Sequence, residues 1–403
     1  MPLTAISPLH LAHQMQDRSA LPRALAKLRD EAALSIDALA NLEEIDGAVT
    51  PITLLTAVDD SLGMAVTFRG RNGAILRIQG SPTDLTGDLT VASGSADWDT
   101  ATETEGKVKI TGFDWTPYVG KWIRVLSGTT PGAMARILKN LGSNTARVSG
   151  GLDELYAIDG FAHWTAGDVI RICELTQWDG PLYSASNYGD CQLIFSKLRI
   201  GPTGSVHEFK TFATGSGLLF FNCELRGLDI SGGDGYGVIM AGSHTICSHV
   251  KGGRLGIAAG CSWESGPGAA LNMRQNGHAI LSQWNCFQGC APTLGGSEGG
   301  GRIVCDEGNA VCDYPSGISL SDASAIDING AGKLWLRDAA SASVGMTVLA
   351  GCGVHCATAA NLPKIVGTTP TTDYLIDKTA KTQAQLDAGP GFSTDNARIV
   401  TKA

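Results

Sequence analysis

Three patterns of apolar and polar residues follow one another along the chain. Between Leu21 and Glu44, Leu25, Leu28, Ala32, Ile36, Leu39 and Leu42 recur at steps of three and four. That spacing predicts a helix of about 24 residues, ~36 Å long, with one apolar face. Pro22 suits a first helical turn and Asp46-Gly47 supplies the stop. The stripe must be covered, either by its own domain or by a neighbouring subunit or a short helical bundle. Met1 to Ser19 shows no period and reads as an extended tail that a partner orders.

From about residue 50 the period shortens. Ala74-Ile-Leu-Arg-Ile78, Val108-Lys-Ile110, Trp122-Ile-Arg-Val125 and Asp168-Val-Ile-Arg-Ile172 are short runs bounded by Gly, Asp, Ser or Pro, several alternating apolar with polar. They predict an antiparallel β domain with turns over residues 47–180. Beyond it, Leu218–Phe221, Gly237–Met240, Leu255–Ala258, His278–Leu281, Arg302–Cys305, Ile326–Ile328, Lys333–Leu336 and Met346–Leu349 are separated by Gly, Ser, Asn and Asp. Many strands of about four residues, without regular helix, suit the turns of a solenoid over residues 181–360. Residues 361–403, with Lys364-Ile-Val366 and Asp373-Tyr-Leu-Ile-Asp377, read as a closing segment.

Composition sharpens these boundaries. The 52 glycines are absent from residues 1–46, number 18 in 47–180 and 31 in 181–360, and fall to 3 in 361–403. Ten of the 11 cysteines also lie within 181–360. A hydrophobic share of 43% excludes a disordered chain, and aperiodic glycine with 15 prolines excludes collagen. Cys223, Cys247, Cys261, Cys286 and Cys305 sit in or beside apolar runs at a loose rung period. They are expected to stack inside a narrow tube as small apolar side chains. The formal net charge of −9, without a basic cluster interleaved with aromatics, argues against nucleic acid as a partner. No signal-peptide pattern or membrane-length apolar run is present, so synthesis in the cytoplasm, reduced thiols and no membrane insertion are expected.

The stretch from Gly120-Lys-Trp-Ile-Arg-Val through Pro131-Gly-Ala-Met-Ala-Arg-Ile137 and Asn144-Thr-Ala-Arg-Val148 to Ala166-Gly-Asp-Val-Ile-Arg-Ile172 resembles a small β module of virion proteins of tailed bacteriophages, where it commonly precedes a β-helix. The glycine- and cysteine-rich block resembles a right-handed parallel β-helix of the pectin-lyase-like kind. Helical arm, β module and β-helix together are similar to spike and fibre proteins of tailed phages and phage-like particles. The resemblance implies a mainly β chain: an N-terminal helical arm, a small antiparallel β domain and a right-handed parallel β-helix. It further implies a homotrimer in the virion, made in the host cytoplasm. The arm, through Leu25, Leu28, Ile36, Leu39 and Leu42, would attach to other virion proteins of capsid, collar or baseplate.

Phage β-helix spikes often degrade polysaccharide, and glycoside hydrolysis needs two carboxyl groups about 5–9.5 Å apart. Glu224, Asp229, Asp234, Glu264, Asp306, Glu307 and Asp313 are the acids available, and no pair is singled out by spacing. A lyase reading is disfavoured by the scarcity of lysine in the block. The leading expectation is therefore a non-enzymatic component, the alternative a polysaccharide depolymerase on the same scaffold. Trp263, Trp284 and Trp335 are the candidates for contact with host surface polysaccharide, against burial in the core or at a subunit interface. Cys286-x3-Cys290 and Cys352-x3-Cys356, the latter with His355, have spacing that zinc allows. The buried-thiol reading is preferred, and no metal or cofactor is expected. His244, Cys247 and His249 do not share one strand face. No nucleophile elbow or phosphate loop is present, and Gly295–Gly301 reads as a projecting loop.

Overall fold

The computed structural model describes residues 75–95, 106–128, 131–149, 165–178, 192–200, 217–225, 321–329, 344–366, 371–389 and 391–402, together with the strands between them that are given by their bounds below and Ser243 and Cys261 beside two of those strands. The helical arm predicted over 21–44, with Leu25, Leu28, Ile36, Leu39 and Leu42, lies outside the described residues.

Most strands are dealt in turn to three parallel sheets, each strand pairing with the third one after it. Sheet one runs through Ile75–Gly80, Gln192–Ser196, Gly217–Phe221, Tyr236–Ala241, Arg254–Ile257, His278–Leu281, Arg302–Asp306, Ala325–Asn329, Gly353–Cys356 and Arg398–Thr401. Sheet two runs through Thr176–Trp178, Leu198–Ile200, Glu224–Leu225, His244–Thr245, Ser262–Glu264, Asn285–Gln288, Asn309–Asp313, Lys333–Arg337 and Lys364–Val366. The third set runs from Leu182–Ala185 and Lys210–Phe212 to Leu228–Ser231, Ser248–Lys251, Leu271–Arg274, Pro292–Leu294, Ile318–Leu320, Val344–Val348 and Thr372–Ile376. Its ladder is interrupted between Lys210–Phe212 and Leu228–Ser231.

The register explains why these residues form these strands. Ile78, Phe195, Phe220, Met240, Ile257, Leu281, Cys305, Ile328 and Cys356 occupy one column of sheet one, each paired with the next. Two positions upstream, Leu76, Leu193, Leu218, Val238, Leu255, Ala279, Ile303, Ile326, Val354 and Ile399 form a second column. Phe195, Phe220, Met240, Cys305, Ile328, Cys356, Ile303, Ile326, Val354 and Ile399 are buried. Alternation along each strand sends both columns to one face. The Phe195 and Phe220 rings stack with centroids 5.6 Å apart. Between Phe195 and Cys356 the step between rungs varies from 17 residues, Met240 to Ile257, to 28, Ile328 to Cys356.

Two boundaries differ from the sequence expectation. Ile75–Gly80, expected in the antiparallel domain, pairs in parallel with Gln192–Ser196. Ile52–Leu54 and Val66–Phe68 also join parallel ladders. The antiparallel domain is thus an insertion between Ile75–Gly80 and Thr176–Trp178, at a corner of the stack. Gly80 marks the exit, where a Cβ would lie 2.1 Å from the Lys197 carbonyl oxygen. The inserted sheet contains Thr83–Asp84, Leu89–Thr90, Lys107–Lys109, Trp122–Ser127, Met134–Gly142, Thr145–Val148 and Val169–Glu174. Ser143 and Asn144 both have positive φ, 49° and 64°, and join two of these strands as a tight hairpin. Trp115, Ile123, Val125, Ile137, Ile170 and Ile172 fill its core.

The second difference is at the other end, where the closing segment continues the parallel stack to Thr401. The stack closes with antiparallel edge strands, Thr379–Lys381 on Thr372–Ile376 and Gly391–Ser393 on Arg398–Thr401. At the edge of sheet two, a side chain replaces the missing strand. Gln383 Oε1 accepts from the Ile365 backbone N–H at 3.0 Å and from the Tyr374 hydroxyl at 2.6 Å. Closing the exposed ladders in this way removes templates for edge-to-edge pairing.

Cys173, Cys223, Cys261, Cys305, Cys352 and Cys356 are buried, but not as one stack. Cys223 and Cys261 hold equivalent corner positions before sheet two, with Ser243 between them, its hydroxyl accepting from the Cys223 N–H at 3.1 Å. Cys305 and Cys356 belong to sheet one and Cys286 to sheet two, and Cys247 lies outside the described residues. Burial pushes the Cys223, Cys305 and Cys356 thiols up to about 12.

Truncating Phe220 to Ala removes the stacking partner of Phe195 and opens the column. It is expected to cost about 3–5 kcal/mol of stability, measured as a lower denaturant midpoint with an unchanged slope.

Candidate functional site

Besides the Arg124, Arg171, Asp84 and Asp88 network within the inserted sheet, two concentrations of charged side chains stand out among the described residues, one sealed and one open. The sealed one follows sheet two, where Gln177, Arg199, Glu224, His244 and Ser262 occupy one register column. The flanking Leu198, Ile200 and Leu225 are buried on the opposite face. The inserted domain covers the column. Arg136 reaches from strand Met134–Gly142 to within 3.3 Å of His244 Nδ1 and 4.0 Å of the Glu224 carboxylate. Arg199 bridges the two bodies, with Glu174 of the insertion at 3.1 Å and Glu224 of the stack at 3.2 Å. Lys121 holds Glu174 at 2.5 Å, and that hydrogen bond, against the effect of burial, keeps the Glu174 carboxyl below its ordinary value. His244 Nδ1 also lies 2.8 Å from Ser262 Oγ.

Glu224, a catalytic candidate from the sequence, is therefore 1% exposed and clamped between guanidinium groups. A carboxylate so placed fastens the insertion to the stack and is closed to a substrate. This corrects its candidacy.

The open site lies at the far end of sheet one. Asp327 and His355 are register partners on adjacent rungs, and Arg302, Ala325, Gly353 and Arg398 form the column beside them. Asp327 receives Arg302 Nε at 2.6 Å and Lys402 Nζ at 3.2 Å, and His355 Nδ1 stands 3.5 Å away. Arg398 Nε donates to His355 Nε2 at 3.0 Å, which places the neutral ring's proton on Nδ1, facing Asp327. Burial raises Asp327, but the hydrogen bonds and charges of Arg302 and Lys402 outweigh it and the carboxyl sits below its ordinary value. Burial lowers His355, Asp327 draws it back up, Arg398 and Lys402 push it down again, and the net is a lowered imidazole. Gly353 leaves room for this ring: a Cβ would fall 2.7 Å from His355 Nε2 and push the imidazole aside. A cavity of about 220 Å³ opens beside this assembly, with Ser324, Ala325, Gly353, His355, Thr394 and Arg398 in its wall. A single carboxylate held ionised by cations serves as an anchor and supplies no proton at neutral pH, unlike the acid of a hydrolytic pair.

The remaining sequence candidates divide by register. Glu264 pairs with Gln288, and Gln288 with Asp313, so both acids occupy one column of sheet two, two rungs apart. Two inter-strand spacings amount to about 9.6 Å. Asp229 pairs with His249 on the third set and Asp306 with Asn329 on sheet one, away from that column. Asp234 and Glu307 lie outside the described residues. Trp335 is only 5% exposed, with Lys364 Nζ 5.9 Å from its ring centroid, so its candidacy for sugar contact is corrected to a packing role. Trp263 shares the register column of the buried Leu225 and Leu336. Trp284 lies outside the described residues.

Cys352 and Cys356 are buried while His355, between Cys356 and its neighbour Val354, alternates to the charged face, so the three do not converge. Among the described residues no group of three His, Cys, Asp or Glu is arranged to hold a metal ion. Cys290 and Gly295–Gly301 lie outside them. Sequence reading missed the Arg302–Asp327–His355–Arg398–Lys402 assembly because its members are up to 100 residues apart. Only its alternation, Gly353-Val-His-Cys356, hinted at an outward histidine.

No family model matches the chain, and no curated protein sequence matches it. Solved structures do. The gp54 tailspike of Acinetobacter baumannii bacteriophage AP22, solved with A. baumannii capsular saccharide, is 10% identical, with 84% of this chain and 73% of that one covered and a TM-score of 0.20. The tailspike gp49 from Pseudomonas phage LKA1 is 11% identical, with 84% and 72% covered and a TM-score of 0.26. Values this low leave the argument to the chain's own topology.

Two outcomes follow from the charged sites. Replacing Glu224 with Ala strands Arg136 and Arg199 and is expected to cost about 3–5 kcal/mol, with faster proteolytic release of the insertion than in the parent chain. The lowered His355 gives a pH effect of definite sign. Below its ordinary 6.5 the unfolded chain binds the proton first, so stability falls as pH drops from 6.5 toward the folded value. Denaturant melts across this range should show a slope that His355→Gln flattens.

Proposed function

We propose that this protein is a spike or fibre component of a tailed phage or phage-like particle, whose stack is a right-handed parallel β-helix of the pectin-lyase-like kind. The observation that carries the reading is the three-sheet topology with its parallel, every-third-strand pairing. It unites with the module resemblance of Gly120–Ile172, since that module is inserted at the first described rungs of the stack. Such a stack extends by about 4.8 Å per rung and resists bending, because each rung is hydrogen-bonded to both neighbours. This is the mechanical property needed of a part that holds a surface away from a particle. In this reading the protein is a homotrimer, the N-terminal arm attaches it to capsid, collar or baseplate, and the stack is presented to host surface polysaccharide.

One observation favours a second reading, a depolymerase on the same scaffold. Glu264 and Asp313 stand in one column two rungs apart, with backbones about 9.6 Å apart, next to the upper end of the carboxyl separations of inverting pairs. The two readings part on a direct assay. Purified protein incubated with host surface polysaccharide is expected to leave chain length unchanged. Shortened chains, with the activity lost in both Glu264→Gln and Asp313→Asn, would establish the depolymerase instead. Attachment is tested by removing residues 1–46: the shortened protein should remain folded and fail to join particles, and normal incorporation would contradict the role of the arm.

A further inference from the structure

We propose that the notch between Arg302 and Arg398 at the end of sheet one binds a phosphate group, its oxygens accepting from both guanidinium groups. This goes beyond the virion reading and does not depend on it. Arg302, Ala325, Gly353 and Arg398 are consecutive members of one register column, so the two arginine backbones stand three inter-strand spacings apart, about 14 Å. Each side chain reaches one rung toward the other. Arg302 Nε donates to Asp327 Oδ2 at 2.6 Å, on the rung of Ala325, and Arg398 Nε donates to His355 Nε2 at 3.0 Å, on the rung of Gly353. Asp327 and His355 are register partners, with Oδ1 and Nδ1 3.5 Å apart. The two guanidinium groups are therefore anchored on neighbouring rungs, ~4.8 Å apart along the stack.

Charge, donors and space agree on an anion. Lys402 Nζ also lies 3.2 Å from Asp327, so three cations, Arg302, Lys402 and Arg398, gather around one paired carboxylate. Asp395 lines the adjoining cavity but forms no ion pair with any of them among the described residues. Cations held this close repel one another, and a bound anion relieves the repulsion. Both arginines are exposed, and the Nη groups of neither make a hydrogen bond among the described residues. A guanidinium fixed at Nε and open at Nη presents a fork of donors to an oxyanion. Forks arriving from two sides suit a tetrahedral group with at least three acceptor oxygens and a charge of about −1.5 to −2 at pH 7. A carboxylate offers two oxygens in one plane and a single charge. Between the arginines the register places only Ala325 and Gly353, so the floor of the notch carries no long side chain. Both residues also line the cavity, whose 220 Å³ is several times the ~30 Å³ share of one water in the liquid.

The test is equilibrium dialysis of the full chain with radiolabelled inorganic phosphate, glucose 1-phosphate and acetate at constant pH and ionic strength. Inorganic phosphate or the sugar phosphate should bind saturably at one site per chain, at least tenfold more tightly than acetate. Arg302→Gln and Arg398→Gln should each weaken phosphate binding at least tenfold. Ala325→Leu fills the floor of the notch without altering any charge and should abolish binding, which keeps the test decisive if an arginine variant does not fold. Tighter binding of glucose 1-phosphate than of inorganic phosphate would assign the site to a sugar-borne phosphate, and the reverse order to the free ion; either order supports the site. Non-saturable uptake, equal affinity for acetate, or unchanged phosphate binding in a folded Arg398→Gln or Ala325→Leu variant would each overturn the proposal.

Discussion

In sheet one, each rung must set an apolar side chain directly against the equivalent side chain of the rungs before and after it. The register column from Ile78 to Cys356 carries an apolar residue at every rung, and its Phe195, Phe220, Met240, Cys305, Ile328 and Cys356 are buried. A slip of one residue would turn each strand's apolar set to the opposite face. Register is therefore held by burial as well as by hydrogen bonds, and corners can vary in length so long as the columns are restored. That freedom is visible between Phe195 and Cys356 in steps of 17 to 28 residues between equivalent positions, and it permits a whole antiparallel domain to be inserted at one corner without interrupting the stack.

The insertion depends on the same register in a different way. On sheet two the column Arg199, Glu224, His244 and Ser262 is polar where the neighbouring column is apolar. A charged column facing water would need no cover, whereas this one is buried by Arg136, and the alternation of Lys121, Glu174, Arg199, Glu224 and Arg136 gives each charge an opposite neighbour. Ion pairs that are this enclosed contribute orientation more securely than stability. They define where the domain sits on the stack.

At the other end the demands reverse. A parallel stack exposes unpaired backbone groups at its last rung, and here antiparallel strands and the Gln383 side chain cover them. The turn that returns the chain for the final strand also encloses a cavity against the Ala325 and Gly353 notch. Closure of the fold and formation of the open charged site are thus products of one chain reversal.

Much of sheet one was legible in advance, because its strands are the longest apolar runs: Leu218–Phe221, Gly237–Met240, His278–Leu281 and Arg302–Cys305 all fall on it. Sheet two was largely invisible, since strands such as Glu224–Leu225 and His244–Thr245 are two residues long and half polar. Pattern alone determined a mainly β chain of short strands with glycine-rich turns, since local alternation and turn chemistry act within a few residues. The tertiary structure alone decided that Ile75–Gly80 belongs to the stack, that Trp335 and Glu224 are enclosed, and that Asp327, His355 and Arg398 meet. Those outcomes rest on which rung lies beside which. Variable corners remove that information from sequence distance, and only the summed packing of all the columns restores it.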